Sequence, residues 1–178
     1  THAGPQGQMS FQDYLYLGMY YCMNNAAAAA QLMEHLHASL PQARRLSSKL
    51  IFAKGALFPF TTISGEECGS YFLNSTARFH VNADLGYVVS MFLETDNHSK
   101  ELQLRCLELL LETARVWLHL GQWQDGHTVF TIDDVSGPDA YNGLESSNFY
   151  TNLSARRHML NAHENYVTML GAFRADTE

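Results

Sequence analysis

What this chain lacks narrows its function before any motif is read. Its 178 residues hold only eleven Lys and Arg against eighteen Asp and Glu, for a net charge of −7. The cations form no stripe, which argues against a nucleic-acid partner or an anionic membrane surface, because both need clustered positive charge. No apolar run reaches the ~18 residues of a membrane span. Cysteine is scarce, and Cys22, Cys68 and Cys106 lie far apart without a CxxC spacing. They read as free thiols in a reducing compartment, so a cytoplasmic location is expected. Nine histidines are scattered, and His35 and His37, two apart on a helix, face different ways. A metal site is therefore not expected. G-x-S-x-G, Walker A and dinucleotide fingerprints are also missing, which leaves a nucleotide cofactor without support. The opening "THAGPQGQMS" has neither a basic leader nor an initiator methionine, so the chain reads as a segment of a longer one. Three Asn-X-Ser/Thr tripeptides, at Asn74, Asn97 and Asn152, are common by chance, and nothing else suggests secretion.

What is present is a folding sequence, 46% apolar and 16% charged. Phe11 to His37 includes the alanine run 26–30 and predicts one long helix, frayed near Asn24 and Asn25. Pro41 marks the first turn of a second region, with a helix expected over 44–53. Lys54 to Thr76 loses helical period and is too long for a passive connector. Helices are expected over 77–95 and 99–120. The latter carries a buried stripe of Leu102, Cys106, Leu109, Ala114, Trp117 and Leu120, with Ser99 as N-cap and Gly121 as terminator. "TVFTIDDV" suits a short extended piece, and 148–175 is again helical. The expected fold class is all-α, built from antiparallel helix hairpins with long site loops. It fits part of an α/α barrel or a self-contained bundle, with residues 1–178 as a partial domain.

Candidate chemistry gathers in the loops. Glu66 and Glu67 in "SGEECG" are adjacent carboxylates, one of which could be held neutral if buried, or merely a solvated acidic pair. "ARFHVNADLG" puts Arg78, His80, Asn82 and Asp84 at alternate positions. If this entry is extended they form one hydrogen-bonding wall suited to hydroxyl-rich ligands; otherwise Asn82 or Asp84 is a helix cap and His80 a core histidine. Loop aromatics Phe58, Phe60, Tyr71, Phe72, Tyr141, Phe149 and Tyr150 beside amides and carboxylates are a weak carbohydrate signal.

These stretches resemble glycoside hydrolase family 65, the phosphorylases of maltose, trehalose, kojibiose and nigerose. "KGALFPFTTISGEECGSYF" is similar to that family's G-A-x-x-P-W and G-E-E segment, and "ARFHVNADLGYVV" to its H-I-N-A-D-I-A-Y-A segment. "LLLETARVWLHLG" resembles its E-T-A-R-F-W helix, and "VSGPDAYNGLESSNFYTNLSAR" its V-T-G-P-D-E-Y loop and N-N-x-Y-T-N helix start. The H-V-N-A-D wording is nearest the kojibiose and trehalose branch. The resemblance implies an (α/α)6 barrel and inverting cleavage of α-glucosidic bonds in disaccharides. One glutamic acid protonates the leaving oxygen while inorganic phosphate, a co-substrate and not a cofactor, attacks from the opposite face.

Two departures stand out. The family's general acid position in G-P-D-E-Y is Ala140 here, and alanine has no proton to give. Near the start, "GQMSFQDYL" replaces G-H-x-F-W-D-T-E, so the sugar-holding Trp–Asp pair becomes Phe11–Gln12 or Gln12–Asp13, and the final Glu becomes Tyr14 or Leu15. The substrate-binding set carried over is Gln12, Asp13, Glu66, Glu67, His80, Asn82, Tyr141, Asn142 and Asn152. Ala140 is compatible with an engineered knockout, a natural loss, or an acid supplied from elsewhere; the second departure favours natural loss. The readings left open are a weak phosphorylase-like enzyme, an inverting hydrolase, and a non-catalytic sugar-binding or structural protein. The partner is expected to be an α-glucosyl disaccharide, with the helices packed on the rest of the parent chain and a homodimer left open.

Overall fold

The computed structural model describes residues 9–63, 66–68, 75–95, 98–139 and 141–175. Its elements run β1 (Met9–Ser10), α1 (Asp13–Asn24), α2 (Ala26–Ala38), α3 (Leu40–Leu50), β2 (Thr61–Thr62), α4 (His80–Leu93), α5 (Lys100–Arg115), α6 (Trp117–Leu120), β3 (Gly121–Gln124), β4 (Val129–Ile132) and α7 (Phe149–Ala175). The all-α expectation holds: among the described residues the strands form only two short antiparallel pairs, β1 with β2 and β3 with β4. No helix among them is long and apolar enough to cross a membrane.

The single helix expected over 11–37 is two. At Asn25 the backbone leaves the helical region (φ −151°, ψ 86°), and the side-chain oxygen accepts a hydrogen bond from Ala28 N at 3.0 Å. An amide that competes for backbone donors favours a cap over a helix interior, and here that preference outweighs the alanine run. The chain doubles back, so Tyr14 near the start of α1 stacks on His35 near the end of α2 (6.2 Å between centroids). Pro41 sits in the first turn of α3 as expected, although the helix begins and ends earlier than 44–53. Ser99 caps α5 by accepting from Leu102 N at 3.2 Å. The helix expected to run on to Leu120 breaks at Val116 into α5 and α6. Of its stripe, Leu102, Cys106, Leu109, Ala114 and Trp117 are buried and Leu120 is half-buried. Gly121 ends α6, but in an extended conformation (φ −86°, ψ 155°), because it opens β3 opposite Ile132.

The centre is α4. Eleven of its residues are buried, polar His80, Asn82, Asp84 and Ser90 among them, while Tyr87 is exposed. It packs against α1, α5 and α7. Small residues permit the approach: a Cβ on Gly18 would lie 2.4 Å from Val88 Cγ1, and one on Gly86 would lie 2.3 Å from His158 Nε2. His158 of α7 fills that gap, where its Nδ1 accepts from Trp117 Nε1 at 3.0 Å and its Nε2 meets Thr113 Oγ1 at 3.2 Å. Trp117 can only donate, so Nδ1 is unprotonated and the ring is the neutral Nε2–H form. Burial pushes the His158 imidazole down to about 4. The "ETARVW" stretch is thus a packing hub. Glu112 pairs with Arg44 and Arg115, and its carbonyl accepts from Ala56 N at 2.8 Å.

Candidate active site

Three segments meet around the first turns of α4 and α7. The first is Gly55–Phe60. Gly55 has φ 107°, and a Cβ there would stand 2.7 Å from the Glu112 carbonyl oxygen, so glycine alone fits. Asn82 holds the next residues. Its Oδ1 accepts from Phe58 N at 2.8 Å, and its Nδ2 donates to Ala56 O at 2.8 Å and Thr113 O at 3.1 Å. The Asn82 side chain is fully buried and already engaged with backbone. Asn82, expected from the sequence to line or support a sugar subsite, positions the loop.

The second segment is the turn after β4. Ser136 N donates to Ala77 O at 3.0 Å, which hangs the turn beside the entry to α4. Val135 and Glu145 exchange backbone hydrogen bonds (3.1 and 2.8 Å) and close a loop over 135–145. At its tip Asp139 Oδ1 accepts from Tyr141 N at 2.9 Å. Arg78 lies with its guanidinium 4.4 Å over the Phe60 ring, and Asp139 favours its charge against a burial that lowers its pKa. Arg78 therefore packs on the Phe60 loop within reach of the Asp139 charge. Ala140 lies outside the described residues. Tyr141 is 98% exposed and Asn142 is exposed, so neither side chain is enclosed.

The third segment is the start of α7. Asn148 caps it, with Oδ1 accepting from Thr151 N at 2.9 Å. Asn152 Oδ1 accepts from Ile132 N at 3.0 Å, and its Nδ2 donates to Ile132 O at 3.2 Å and Asn148 O at 3.0 Å. Asn152, like Asn82, acts as a backbone clamp. Both cases have one cause: a carboxamide matches the donor and acceptor of a peptide group, so it closes onto nearby backbone.

The alternate-position wall does not form, because the chain is helical from His80 on. His80 and Asp84, four apart, share one face instead, while Asn82 points away from it. On that face the Tyr150 hydroxyl donates to Asp84 Oδ1 at 2.6 Å, and its ring meets His80 edge-on at 5.5 Å. Burial pushes the Asp84 carboxyl up to about 6, although the Tyr150 bond opposes it. Burial and the Asp84 partner raise the Tyr150 phenol. Burial drives His80 down to about 4, against the Ser136 backbone beside the ring and with a small push from Arg78. Neither His80 nitrogen completes a hydrogen bond, and Asp84 Oδ2 and Ser136 Oγ are likewise buried without partners.

The remaining sequence candidates sit apart. Glu66 and Glu67 line a hollow of about 180 Å³ with Gln42, Arg45 and Lys49, on the α3 side. The structure groups them with those cations and not with Asp84, which lines a separate hollow. Gln12 is half-buried with an unpartnered Oε1, and Asp13 is on the rim of a hollow of about 480 Å³ between α1 and α2. Phe11 packs between Tyr14 and Phe58, with ring centroids 5.1 and 5.2 Å away. Sequence reasoning missed the Asp84–Tyr150 pair and the Arg78–Phe60 stack. The four-residue spacing of His80 and Asp84 was an available signal for half of the first. Nothing in the sequence pointed to Tyr150 as its partner.

With this geometry in place, comparison with known proteins is informative. Residues 4–173 match the glycosyl hydrolase family 65 central catalytic domain. The chain is 36% identical over 156 residues to the α,α-trehalose phosphorylase of Geobacillus stearothermophilus, covering 88% of this chain and 20% of that protein. It is 26% identical over 170 residues to the kojibiose phosphorylase of Escherichia coli, covering 88% and 22%. A solved human-microbiome protein provisionally assigned as a kojibiose phosphorylase superposes with a TM-score of 0.79 at 25% identity, over 89% of this chain and 21% of that one. The chain thus spans about a fifth of the length of these relatives. Its helix hairpins correspond to part of the (α/α)6 barrel of that fold. The chain belongs to glycosyl hydrolase family 65, in the region of its central catalytic domain.

Proposed function

We propose that this chain contributes to the catalytic domain of a phosphorylase-like protein for α-glucosyl disaccharides, with its proton-donor position occupied by Ala140. The supporting observation is the meeting of the 135–139 turn with Arg78 and His80 at the head of α4, in a chain whose relatives include phosphorylases of trehalose, maltose and kojibiose. In inverting phosphorolysis an acid protonates the glycosidic oxygen as phosphate attacks the anomeric carbon from the opposite face. The products are inverted glucose 1-phosphate and free sugar. Ala140 removes the proton source. Asp139 is a poor substitute, because its carboxylate already accepts from Tyr141 N and faces Arg78. Loss of a positioned acid lowers the rate by about 10²–10⁴. Phosphate binding and sugar linkage preference fall to parts of the protein beyond this segment, and a cytoplasmic setting belongs to the same proposal.

The test is Ala140→Glu in the full-length protein, assayed with inorganic phosphate and trehalose, kojibiose, maltose or nigerose. Glucose 1-phosphate should rise by about 10² or more with one of them. Free glucose without glucose 1-phosphate would replace phosphorolysis by hydrolysis. Sugar binding without turnover after the change would favour a binding protein.

A further inference from the structure

A chain of contacts runs from the core to the site turn without touching the acid position itself. It begins at Asp84, 3% exposed, passes through the Tyr150 hydroxyl at 2.6 Å and the edge-on His80 ring at 5.5 Å, and reaches the Ser136 backbone against that ring. Ser136 in turn is fastened to Ala77. Below the pair is a hollow of about 290 Å³ between α1, α4 and α7, bordered by Met19, Tyr87, Arg157 and His158.

We infer that Asp84 and Tyr150 are positioning residues for the site: the carboxylate holds the phenol, the phenol holds His80 edge-on, and His80 sets where the 135–139 turn lies. A stability role alone does not account for the arrangement. A carboxyl that burial pushes up to about 6 is unfavourable to keep ionised at neutral pH, and Oδ2 gains no second hydrogen bond for it. An asparagine of the same shape would accept from Tyr150 without that desolvation. Under-satisfied buried polar groups concentrate at functional sites, where stability is given up for orientation.

The effect on sugar affinity rests on the proposed function; the effect on the turn does not. Asp84→Asn and Tyr150→Phe in the full-length protein are compared with the unmodified protein by thermal midpoint, by hydrogen exchange of peptides covering 133–139, and by calorimetric titration with trehalose and kojibiose. Asp84→Asn should hold or raise the midpoint at pH 7.5. Both variants should speed exchange around Ser136 while peptides from α5 are unchanged. Affinity for the bound sugar should fall about tenfold, the loss that one charge-assisted hydrogen bond allows. A falling midpoint with exchange rising everywhere would make the pair a packing feature and overturn the inference, as would unchanged exchange at 133–139. If the unmodified protein binds neither sugar, the sugar reading fails alone, and the exchange result still decides the role of the pair.

Discussion

His80 and His158 are buried to nearly the same degree, 0% and 1% exposed, and desolvation drives both down to about 4. Their surroundings differ. His158 has Trp117 on one nitrogen and Thr113 on the other, whereas neither nitrogen of His80 completes a well-formed hydrogen bond and only the Ser136 backbone lies beside its ring. The satisfied histidine lies deep between α4, α5 and α7; the unsatisfied one lies at the head of α4, against the turn that precedes Ala140. A buried polar group without partners costs stability, so the contrast separates a neighbourhood that closes its hydrogen bonds from one that leaves them open, as the proposed positioning role requires.

The largest expected effect comes from replacing each histidine in turn. His158→Leu strands the Trp117 N–H and Thr113 contacts, and should destabilise by about 3–4 kcal/mol. His80→Leu removes at most the weak approach to the Ser136 backbone and should change stability by less than about 1 kcal/mol, while disturbing the turn. Matched urea titrations measure both, and equal losses would erase the distinction.

Acidification offers a second way to sharpen it. Each histidine is depressed in the fold, so its stabilising contribution is complete above its ordinary value of 6.5 and is lost as pH falls toward 4, at about 3 kcal/mol apiece. Asp84 works the other way. Its raised carboxyl favours the neutral form, so its penalty is absent below its ordinary value of 3.8 and complete above about 6. The sum is a net loss of about 2–3 kcal/mol between pH 6.5 and 4. Urea midpoints against pH should show that slope, and His158→Leu should flatten it. A slope indifferent to both histidines would contradict their burial as neutral rings.

The smallest effect serves as a control remote from both. Ser99→Ala removes the cap on α5 and should cost about 1 kcal/mol, without changing exchange near Ser136. A response at the turn would mean that α5 and the site are not energetically separate.

Much of the scaffold was readable from residue order. Ser99, Pro41 and the stripe from Leu102 to Trp117 act through neighbours within a turn or two, so their roles follow from spacing. Asn25 was harder, since helix propensity over the alanines and capping by one amide point in opposite directions, and the hairpin contacts between α1 and α2 favour the break. Asn82 and Asn152 were found as important residues, but their backbone partners were not. Their amides close on backbone 24–31 and 20 residues away, respectively, and no local pattern contains that information. Asp84 and Tyr150 are separated by 66 residues, beyond any periodicity.

Residue order alone decided that this chain is helical and that it carries four ordered segments resembling those of its family. These depend on side-chain identity and short-range spacing. Which polar groups of these segments are engaged by backbone and which are left without hydrogen-bond partners was decided only when α4 was enclosed by α1, α5 and α7. Hydrogen-bond satisfaction is a property of the assembled neighbourhood, in which partners far apart in the chain are brought within about 3 Å.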